Sequence, residues 1–192
     1  WDAKAPIIDP FCGSGTIAIE AALLARRISP GKNRRFAFMD WPGFDEKKWK
    51  HQISRAASLE VKPSLQILAS DRDAGAIRIA EKNAERAGVA GDIIFIHQAI
   101  SAITPPESAG WVVTNPPYGV RLSPTKDLRD LYAQFGNVLR EKCPGWRASV
   151  LSSSDILIGQ TRLRILEKTP LFNGGIAVKL FNLQVEMLLK SS

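Results

Sequence analysis

The stretch TNPPYG, Thr114 to Gly119, combines residue types that could hold a flat group carrying N–H bonds. It follows the apolar triplet 111–113, and because proline is excluded from the middle of a sheet, we expect a strand to end at Asn115. Two prolines remove two backbone N–H donors and stiffen the turn, which leaves carbonyl oxygens free to accept hydrogen bonds. With the side-chain oxygen of Asn115 and the ring of Tyr118, the turn offers both acceptors and a stacking surface.

A second candidate site is the stretch DPFCGSGT, Asp9 to Thr16, which follows the apolar run APIID. The backbone at Gly13 and Gly15 can approach a ligand closely, and the helix expected next points free N–H groups at the same place. A P-loop requires a Lys after its glycines, and none follows here. The third glycine of the dinucleotide-binding fingerprint is also missing, so the stretch matches neither motif. An acid at the strand end, Asp9, suits a cationic amine beside an anionic carboxylate, as in the methionyl part of S-adenosylmethionine. A purely structural turn is the alternative.

A third stretch, SDRD (Ser70 to Asp73), follows the apolar run SLQILAS. An acid at the end of this second strand is positioned to accept both ribose hydroxyls of a nucleoside, and Asp71 is the candidate. Asp73 is expected to cap the next helix, because it precedes a helical pattern of apolar residues that stops at Gly88. Acids at such turns often cap helices only, which is the alternative for Asp71.

The pattern along the chain predicts a fold that brings these stretches together. Predicted strands are 5–9, 64–70, 92–97, 110–114 and 148–153, the last of them central, and predicted helices are 14–27, 73–87 and 126–141. Two extended runs around Asn173-Gly174-Gly175 predict a C-terminal hairpin. This alternation indicates an α/β fold with a mostly parallel sheet, helices on its faces and an antiparallel hairpin at its edge. Ligands of such sheets bind at the carboxyl ends of the strands, where all three stretches lie.

Length and composition favour a single soluble domain. The 192 residues are enough for a substantial core, no apolar run approaches the roughly 18 residues that span a bilayer, and no signal peptide opens the chain. Cys12 and Cys143 form neither a disulfide framework nor a metal site, so we expect a reducing, cytoplasmic location. Because the chain opens with Trp1 rather than Met, we expect it to be a fragment of a longer protein.

The net charge of +7 is concentrated in one segment. The stretch RRISPGKNRR, 26–35, holds five cations in ten residues, and Phe36, Phe38 and Trp41 follow it. Cations interleaved with aromatic rings suit phosphate backbones and exposed bases, so nucleic acid is a candidate partner; generic solubility is the alternative. The segment belongs to a basic, aromatic insertion, about 28–63, which we expect to be irregular.

The stretches DPFCGSGTIAIEAA, SDRDAGAIRIAEKNAERAGV and TNPPYG, in that order, resemble the S-adenosylmethionine-dependent amino methyltransferases. The closer resemblance is to RNA guanine-N2 methylases whose catalytic domain follows an RNA-capturing THUMP domain. Those enzymes carry an insertion similar to SPGKNRRFAFMDWPGFDEKKW and a C-terminal hairpin similar to LFNGGIAVKLF. The resemblance covers nearly all of the chain, 1–192.

The resemblance implies a Rossmann-like class I methyltransferase domain with a mostly parallel seven-stranded sheet and S-adenosylmethionine as cofactor. It also implies RNA as partner, ribosomal before transfer RNA, and an RNA-capturing domain upstream in the full-length protein. The catalytic residues that it implies are Asn115, Pro116, Pro117 and Tyr118. The cofactor-binding residues are Asp9, Pro10, Phe11, Cys12, Gly13, Ser14, Gly15, Thr16, Asp71, Arg72, Gln98 and Ala99, and no metal is expected.

The sequence departs from this pattern after the third predicted strand. Methyltransferases of this type usually carry an acid there that receives the adenine amine, whereas the stretch HQAIS, 97–101, has no carboxylate. The amide oxygen of Gln98, or backbone groups, would take its place. Two alternatives to a ribosomal RNA guanine-N2 methyltransferase therefore stay open at this point: a DNA adenine-N6 methyltransferase, since NPPY does not choose between bases, and a non-catalytic RNA-binding module.

Overall fold

A seven-stranded sheet forms the centre of the computed structural model, which describes residues 1–32, 34–118 and 125–186. The strands are β1 (Ile7–Asp9), β2 (Ile67–Asp71), β3 (Ile94–His97), β4 (Trp111–Thr114), β5 (Arg147–Ser152), β6 (Arg164–Asn173) and β7 (Ile176–Gln184). Their order across the sheet is β3-β2-β1-β4-β5-β7-β6. Strands β1 to β5 pair in parallel, and the hairpin β6–β7 joins the edge at β5 in antiparallel pairing.

Helices cover both faces of this sheet. The α-helices of the described residues are α1 (Thr16–Ala25), α2 (Glu46–Ala57), α3 (Ala74–Ala87), α4 (Thr125–Lys142) and α5 (Asp155–Gln160), and all of them except α2 contribute residues to the cores on the sheet. Because side chains alternate along a strand, neighbouring residues of β1 enter different cores. Ile7 packs in the cluster of α1 and α3, and Ile8 packs in the cluster of α4 and α5.

The strand order reverses between β1 and β4, which creates the crevice where ligands of such sheets bind. The chain runs from β1 outward through β2 to β3, returns to the centre, and continues outward from β4 to β5. In this register Ile8 pairs with Val112, and Asp9 pairs with Ala69. The carboxyl ends of β1, β2 and β4 therefore meet at one place.

The predicted α/β fold is confirmed, including the parallel strands and the C-terminal hairpin. The cap of α3 is also confirmed, because the side chain of Asp73 accepts a hydrogen bond from the backbone N–H of Gly75 at 2.7 Å. The helix ends at Gly88, whose left-handed φ of 74° favours glycine. Strand β5 lies inside the sheet between β4 and β7, and the middle strand of the seven is β4.

The prediction of an irregular insertion was wrong. A 3-10 helix, Ala37–Asp40, and the helix α2 lie within it. Asp45 caps α2 by accepting a hydrogen bond from the backbone N–H of Lys48 at 3.0 Å. No residue of α2 is buried, so this helix lies on the surface and contributes little to the core. Among the described residues, none of the helices is long and apolar enough to cross a membrane.

Candidate active site

The ends of β1 and β4 are joined by a buried hydrogen bond. The hydroxyl of Thr114 donates to Oδ1 of Asp9 at 2.6 Å, and the backbone N–H of Phe11 donates to the same oxygen at 3.3 Å. Asp9 is only 2 % exposed, and this burial raises the pKa of its carboxyl to about 7. The two donors oppose that rise in pKa, and the nearby charge of Asp71 adds to it. At neutral pH the carboxyl of Asp9 is therefore partly protonated, and it lies at the start of the turn between β1 and α1.

The glycine turn between β1 and α1 is held from two neighbouring elements. The backbone N–H of Cys12 donates to the carbonyl of Ser70 at the end of β2, at 3.0 Å. From α3, the side-chain amide of Asn83 donates to the carbonyl of Ser14 at 2.8 Å. The turn is therefore fixed before any ligand binds. Asn83 was not predicted from the sequence, since only the packing of α3 against the turn shows its role.

The two glycines of this turn serve different purposes. Gly13 has a φ of +51°, and a Cβ added there would meet no atom within 4 Å, so open space lies above its backbone. Gly15 has a φ of +83°, and a Cβ there would lie 2.9 Å from the Cβ of Ala80 in α3. Gly13 therefore leaves room for a ligand, whereas Gly15 lets α1 and α3 pack closely. Both glycines were expected to let a ligand approach the backbone closely, but the close neighbour of Gly15 is helix α3.

Asp71 is oriented by two backbone groups. Its Oδ2 accepts a hydrogen bond from the N–H of Gly13 at 3.0 Å, and its Oδ1 accepts one from the N–H of Asp73 at 3.0 Å. A carboxylate has about four acceptor sites on its two oxygens, so capacity for two more donors remains. The acid thus links the first and second turns and keeps acceptors available for a ligand.

The turn that follows β4 presents Asn115 to solvent on a rigid support. Asn115 is exposed, Pro116 behind it is buried, and Pro117 is half-buried. The hydroxyl of Tyr118 accepts a hydrogen bond from the side-chain amide of Asn173, in the hairpin, at 3.2 Å. Gly119, the last residue of the predicted stretch, lies outside the described residues.

A cavity of about 370 Å³ joins these turns. It is lined by Pro10, Phe11, Gly13, Asp71, Arg72, Ala99, Ile100, Asn115, Pro117, Leu131 and Gln134. The ends of four strands, β1, β2, β3 and β4, thus contribute predicted site residues to one space. Pockets of roughly 300–1,000 Å³ are typical of small-molecule sites. Among the lining residues, Ile100, Leu131 and Gln134 were not predicted from the sequence.

The remaining predicted residues lie around this cavity without lining it. They are Asp9, Cys12, Ser14, Gly15, Thr16, Gln98, Pro116 and Tyr118. Cys12 is buried, and burial with the charges of two nearby acids raises the pKa of its thiol to about 12, so it packs as a neutral side chain. The backbone N–H of Gln98 donates to the carbonyl of Asp71 at 3.0 Å, which aligns the turn after β3 with the turn after β2.

Half-buried aromatic rings pack against each other in the basic, aromatic insertion. The ring of Trp49 lies edge-on to Phe36 and Phe38, with centroid distances of 6.0 and 5.2 Å. Three of the five cations in the predicted cluster have acidic partners: Arg26 with Asp92, Lys32 with Glu60 and Arg35 with Asp40. Much of this charge is thus compensated within the chain, which weakens the argument from charge alone for a nucleic-acid partner.

Comparison with known proteins gives one family and several relatives. Residues 1–182 match the sequence profile of the family described as RMKL-like, methyltransferase domain. A ribosomal RNA large subunit methyltransferase K/L from Shewanella baltica is 39% identical over 182 residues, which cover 92% of this chain and 26% of the relative. This chain thus spans about a quarter of the length of that relative.

Two solved structures share the fold over nearly the whole chain. SMU.472, solved in complex with SAH, has a TM-score of 0.92 and 29% identity, over 98% of this chain and 50% of that one. A predicted N6-adenine-specific DNA methylase from Listeria monocytogenes has a TM-score of 0.86 and 34% identity, over 95% of this chain and 47% of that one. The similarity therefore includes the strands and turns that build the cavity.

Proposed function

We propose that this chain, which belongs to the RMKL-like methyltransferase domain family, methylates an exocyclic amino group of RNA, specifically guanine N2 of ribosomal RNA. The observation that carries the proposal is the cavity that Asn115 shares with Gly13 and Asp71. Such a reaction needs a turn that holds the cofactor, an acid that binds the cofactor's ribose and a group that accepts hydrogen bonds from the target amine, all at one cavity. The similarity to the ribosomal RNA large subunit methyltransferase from Shewanella baltica supports RNA as the substrate.

The residues around the cavity fit S-adenosylmethionine. The open space above Gly13 admits a ligand close to the backbone, and no side chain caps the start of α1, whose N–H groups suit a carboxylate. Asp71 has acceptor capacity left for the ribose hydroxyls. For the adenine, Ala99 and Ile100 offer apolar surface after β3, in place of the acid that is missing there.

The carboxyl of Asp9 would attract the positively charged methionyl amine of the cofactor. It is buried at the end of β1, directly before the turn, and its pKa near 7 means that a nearby cation can draw it into the charged form. When bound, S-adenosylmethionine supplies a methyl group on a positively charged sulfur, which an amine can attack.

Asn115 would activate the target amine by accepting a hydrogen bond from it. The lone pair of an exocyclic amine is delocalised into its base, so the nitrogen is a poor nucleophile. If Oδ1 of Asn115 and the carbonyl of Pro116 each accept one N–H, the nitrogen is drawn toward tetrahedral geometry and its lone pair is aimed at the methyl group. As the nitrogen takes up the methyl group, its surplus proton would pass through these acceptors to water. No strong general base is needed.

Pro117 and Tyr118 would hold the target base in place. Pro117 stiffens the turn, and the half-buried ring of Tyr118 offers a surface on which an extruded base can stack. The RNA-capturing domain expected upstream and a cytoplasmic location belong to the same proposal. Such a domain is consistent with a chain that spans about a quarter of its Shewanella baltica relative.

Methyl transfer by the full-length protein tests this function. The protein is incubated with methyl-labelled S-adenosylmethionine and an unmethylated transcript of large subunit ribosomal RNA, with duplex DNA in a parallel reaction. After digestion to nucleosides, we expect the label in N2-methylguanosine from RNA. Label in N6-methyladenine from DNA would instead support the DNA methylase alternative, and RNA binding without any transfer would support the non-catalytic module.

A further inference from the structure

The β6–β7 hairpin extends past the carboxyl edge of the sheet. Strand β5 ends at Ser152, which pairs with Lys179 of β7. Three further pairs of the hairpin lie beyond that point, and the last of them joins Asn173 to Ile176. At about 3.3 Å per residue, the hairpin projects roughly 10 Å past β5. Its tip therefore stands at the edge of the sheet that carries the candidate site.

The tip is connected to the turn of Asn115 by a hydrogen bond. The side-chain amide of Asn173 donates to the hydroxyl of Tyr118 at 3.2 Å, although the two residues are 55 positions apart in the sequence. Tyr118 comes three residues after Asn115 in the same turn. The hairpin thus contacts the turn that would hold the target amine.

The ring of Tyr118 is also supported at a second place. Tyr118 is half-buried and packs against the core cluster that contains Tyr132 and Phe135 of α4. The core therefore contacts the body of the ring, while Asn173 holds its hydroxyl. Contacts at two places restrict rotation of this side chain, and the exposed remainder of the ring stays available to a base.

Asn173 is itself fixed by the geometry of the hairpin. Its backbone pairs with Ile176, and Gly174 and Gly175 close the turn between them with φ of +56° and +82°, values that suit a two-residue loop. Because side chains alternate along a strand, Phe172 lies on the face of the hairpin opposite Asn173. The register of the hairpin thus determines that Asn173, and not Phe172, contacts Tyr118.

We propose, on the basis of the proposed RNA function, that Asn173 is a positioning residue, which holds the ring of Tyr118 in the orientation that stacks on the extruded target base. The base must leave its stack before its amine can reach Asn115. A ring that is already ordered loses less conformational entropy when the base stacks on it. Asn173 therefore acts through Tyr118 on the orientation of the amine toward the methyl group.

A double-mutant cycle tests this role. It compares Asn173→Ala, Tyr118→Phe and the variant that carries both changes, each in the full-length protein, for methyl transfer to the large subunit transcript. Tyr118→Phe keeps the ring and removes the hydroxyl that Asn173 binds. The matched control is Phe172→Ala, which removes an 83 % exposed side chain from the opposite face of the same hairpin. Binding of S-adenosylmethionine by each variant shows that the fold is intact.

We expect Asn173→Ala and Tyr118→Phe each to lower kcat by roughly three- to tenfold, the effect of one lost hydrogen bond. The KM for RNA should stay within about twofold, because the base meets the ring only after it has left its stack. The double variant should lose no more than the weaker of the two single variants, since both changes remove the same hydrogen bond. Phe172→Ala should act like the unaltered protein.

Three results would overturn the positioning role. Losses that multiply in the double variant would show that Asn173 acts independently of Tyr118. A raised KM at unchanged kcat would assign Asn173 to RNA capture, and an equal loss in Phe172→Ala would assign the effect to the hairpin as a whole. Failure of the unaltered protein to methylate any RNA would instead overturn the proposed function, and the positioning role with it.

Discussion

The hydroxyl of Thr114 donates a hydrogen bond of 2.6 Å to Oδ1 of Asp9, and so connects the two central strands at the edge that carries the candidate site. Asp9 ends β1 and leads into the glycine turn, whereas Thr114 ends β4 and leads into the turn of Asn115. Through this bond, the turn that would hold the cofactor and the turn that would hold the target amine share one buried support. The charge of Asp9 is therefore relevant to both.

The free energy of unfolding should depend on pH through Asp9. Its pKa near 7 in the folded protein is above its ordinary value of 3.8, so between about pH 4 and pH 7 the folded carboxyl keeps a proton that the unfolded one has lost. The contribution of this group to stability is complete below about pH 4 and is lost as the pH rises to about 7. Asp9→Asn should therefore stabilise the protein at pH 8 and change little at pH 4. Denaturant unfolding at both pH values measures this, and an equal effect at both would contradict it.

Affinity for S-adenosylmethionine should follow the same ionisation. If the methionyl amine binds near Asp9, binding favours the charged carboxylate, and the affinity should rise as the pH increases from about 6 to about 8. In Asp9→Asn the affinity should be weaker and nearly independent of pH over this range. Calorimetric titration at three pH values tests both points. A pH dependence that survives in the variant would assign the effect to another group.

Asp71→Ala should weaken binding of S-adenosylmethionine by about tenfold or more, because hydrogen bonds to charged groups contribute about 1.5–3 kcal/mol each. Calorimetry measures the loss. Glu85→Ala, which removes an exposed acid of α3, is the matched control and should bind normally. Normal binding by Asp71→Ala would remove the ribose role that we assign to this acid.

The two glycines of the first turn should respond differently to alanine. Both have positive φ, so each substitution should cost about 1–2 kcal/mol in backbone strain. At Gly15 the new Cβ also meets Ala80 at 2.9 Å, which should add about 1–3 kcal/mol. Thermal unfolding should therefore show Gly15→Ala to be the less stable variant. Gly13→Ala should instead show the larger loss of cofactor affinity relative to its loss of stability, and the reverse order would contradict the roles assigned to the two residues.

The sequence predicted the fold well, because local patterns determine most of it. Alternation of apolar runs and helical periods fixed the parallel strands, and the Asp73 cap and the Gly88 stop bounded α3 correctly. The sequence also predicted that the three motifs lie together at the carboxyl ends of the strands, where ligands of parallel sheets bind. The predicted roles of individual site residues stay predictions, tested by the variants proposed above.

Most of what the sequence did not predict depends on tertiary packing. Helix α2 is an exception, because the Asp45 cap and the helical spacing of Trp49, Ile53 and Ala56 are visible in the sequence, although these apolar residues are only half-buried. The need for glycine at position 15 follows from Ala80, a residue distant in sequence. Leu131 and Gln134 line the cavity only because of how α4 docks on the sheet, which no local pattern determines.

The most direct test of the account is Asn115→Ala, measured for both methyl transfer and cofactor binding. Asn115 is exposed at the cavity, so the substitution should leave the fold intact. We expect transfer to large subunit ribosomal RNA to fall by at least about a hundredfold, as when one oriented hydrogen-bonding group is removed from a transition state. Affinity for S-adenosylmethionine should remain within about twofold of the unaltered protein. Transfer at the unaltered rate would contradict the role of Asn115, and loss of cofactor binding together with transfer would show that the residue serves the cofactor instead.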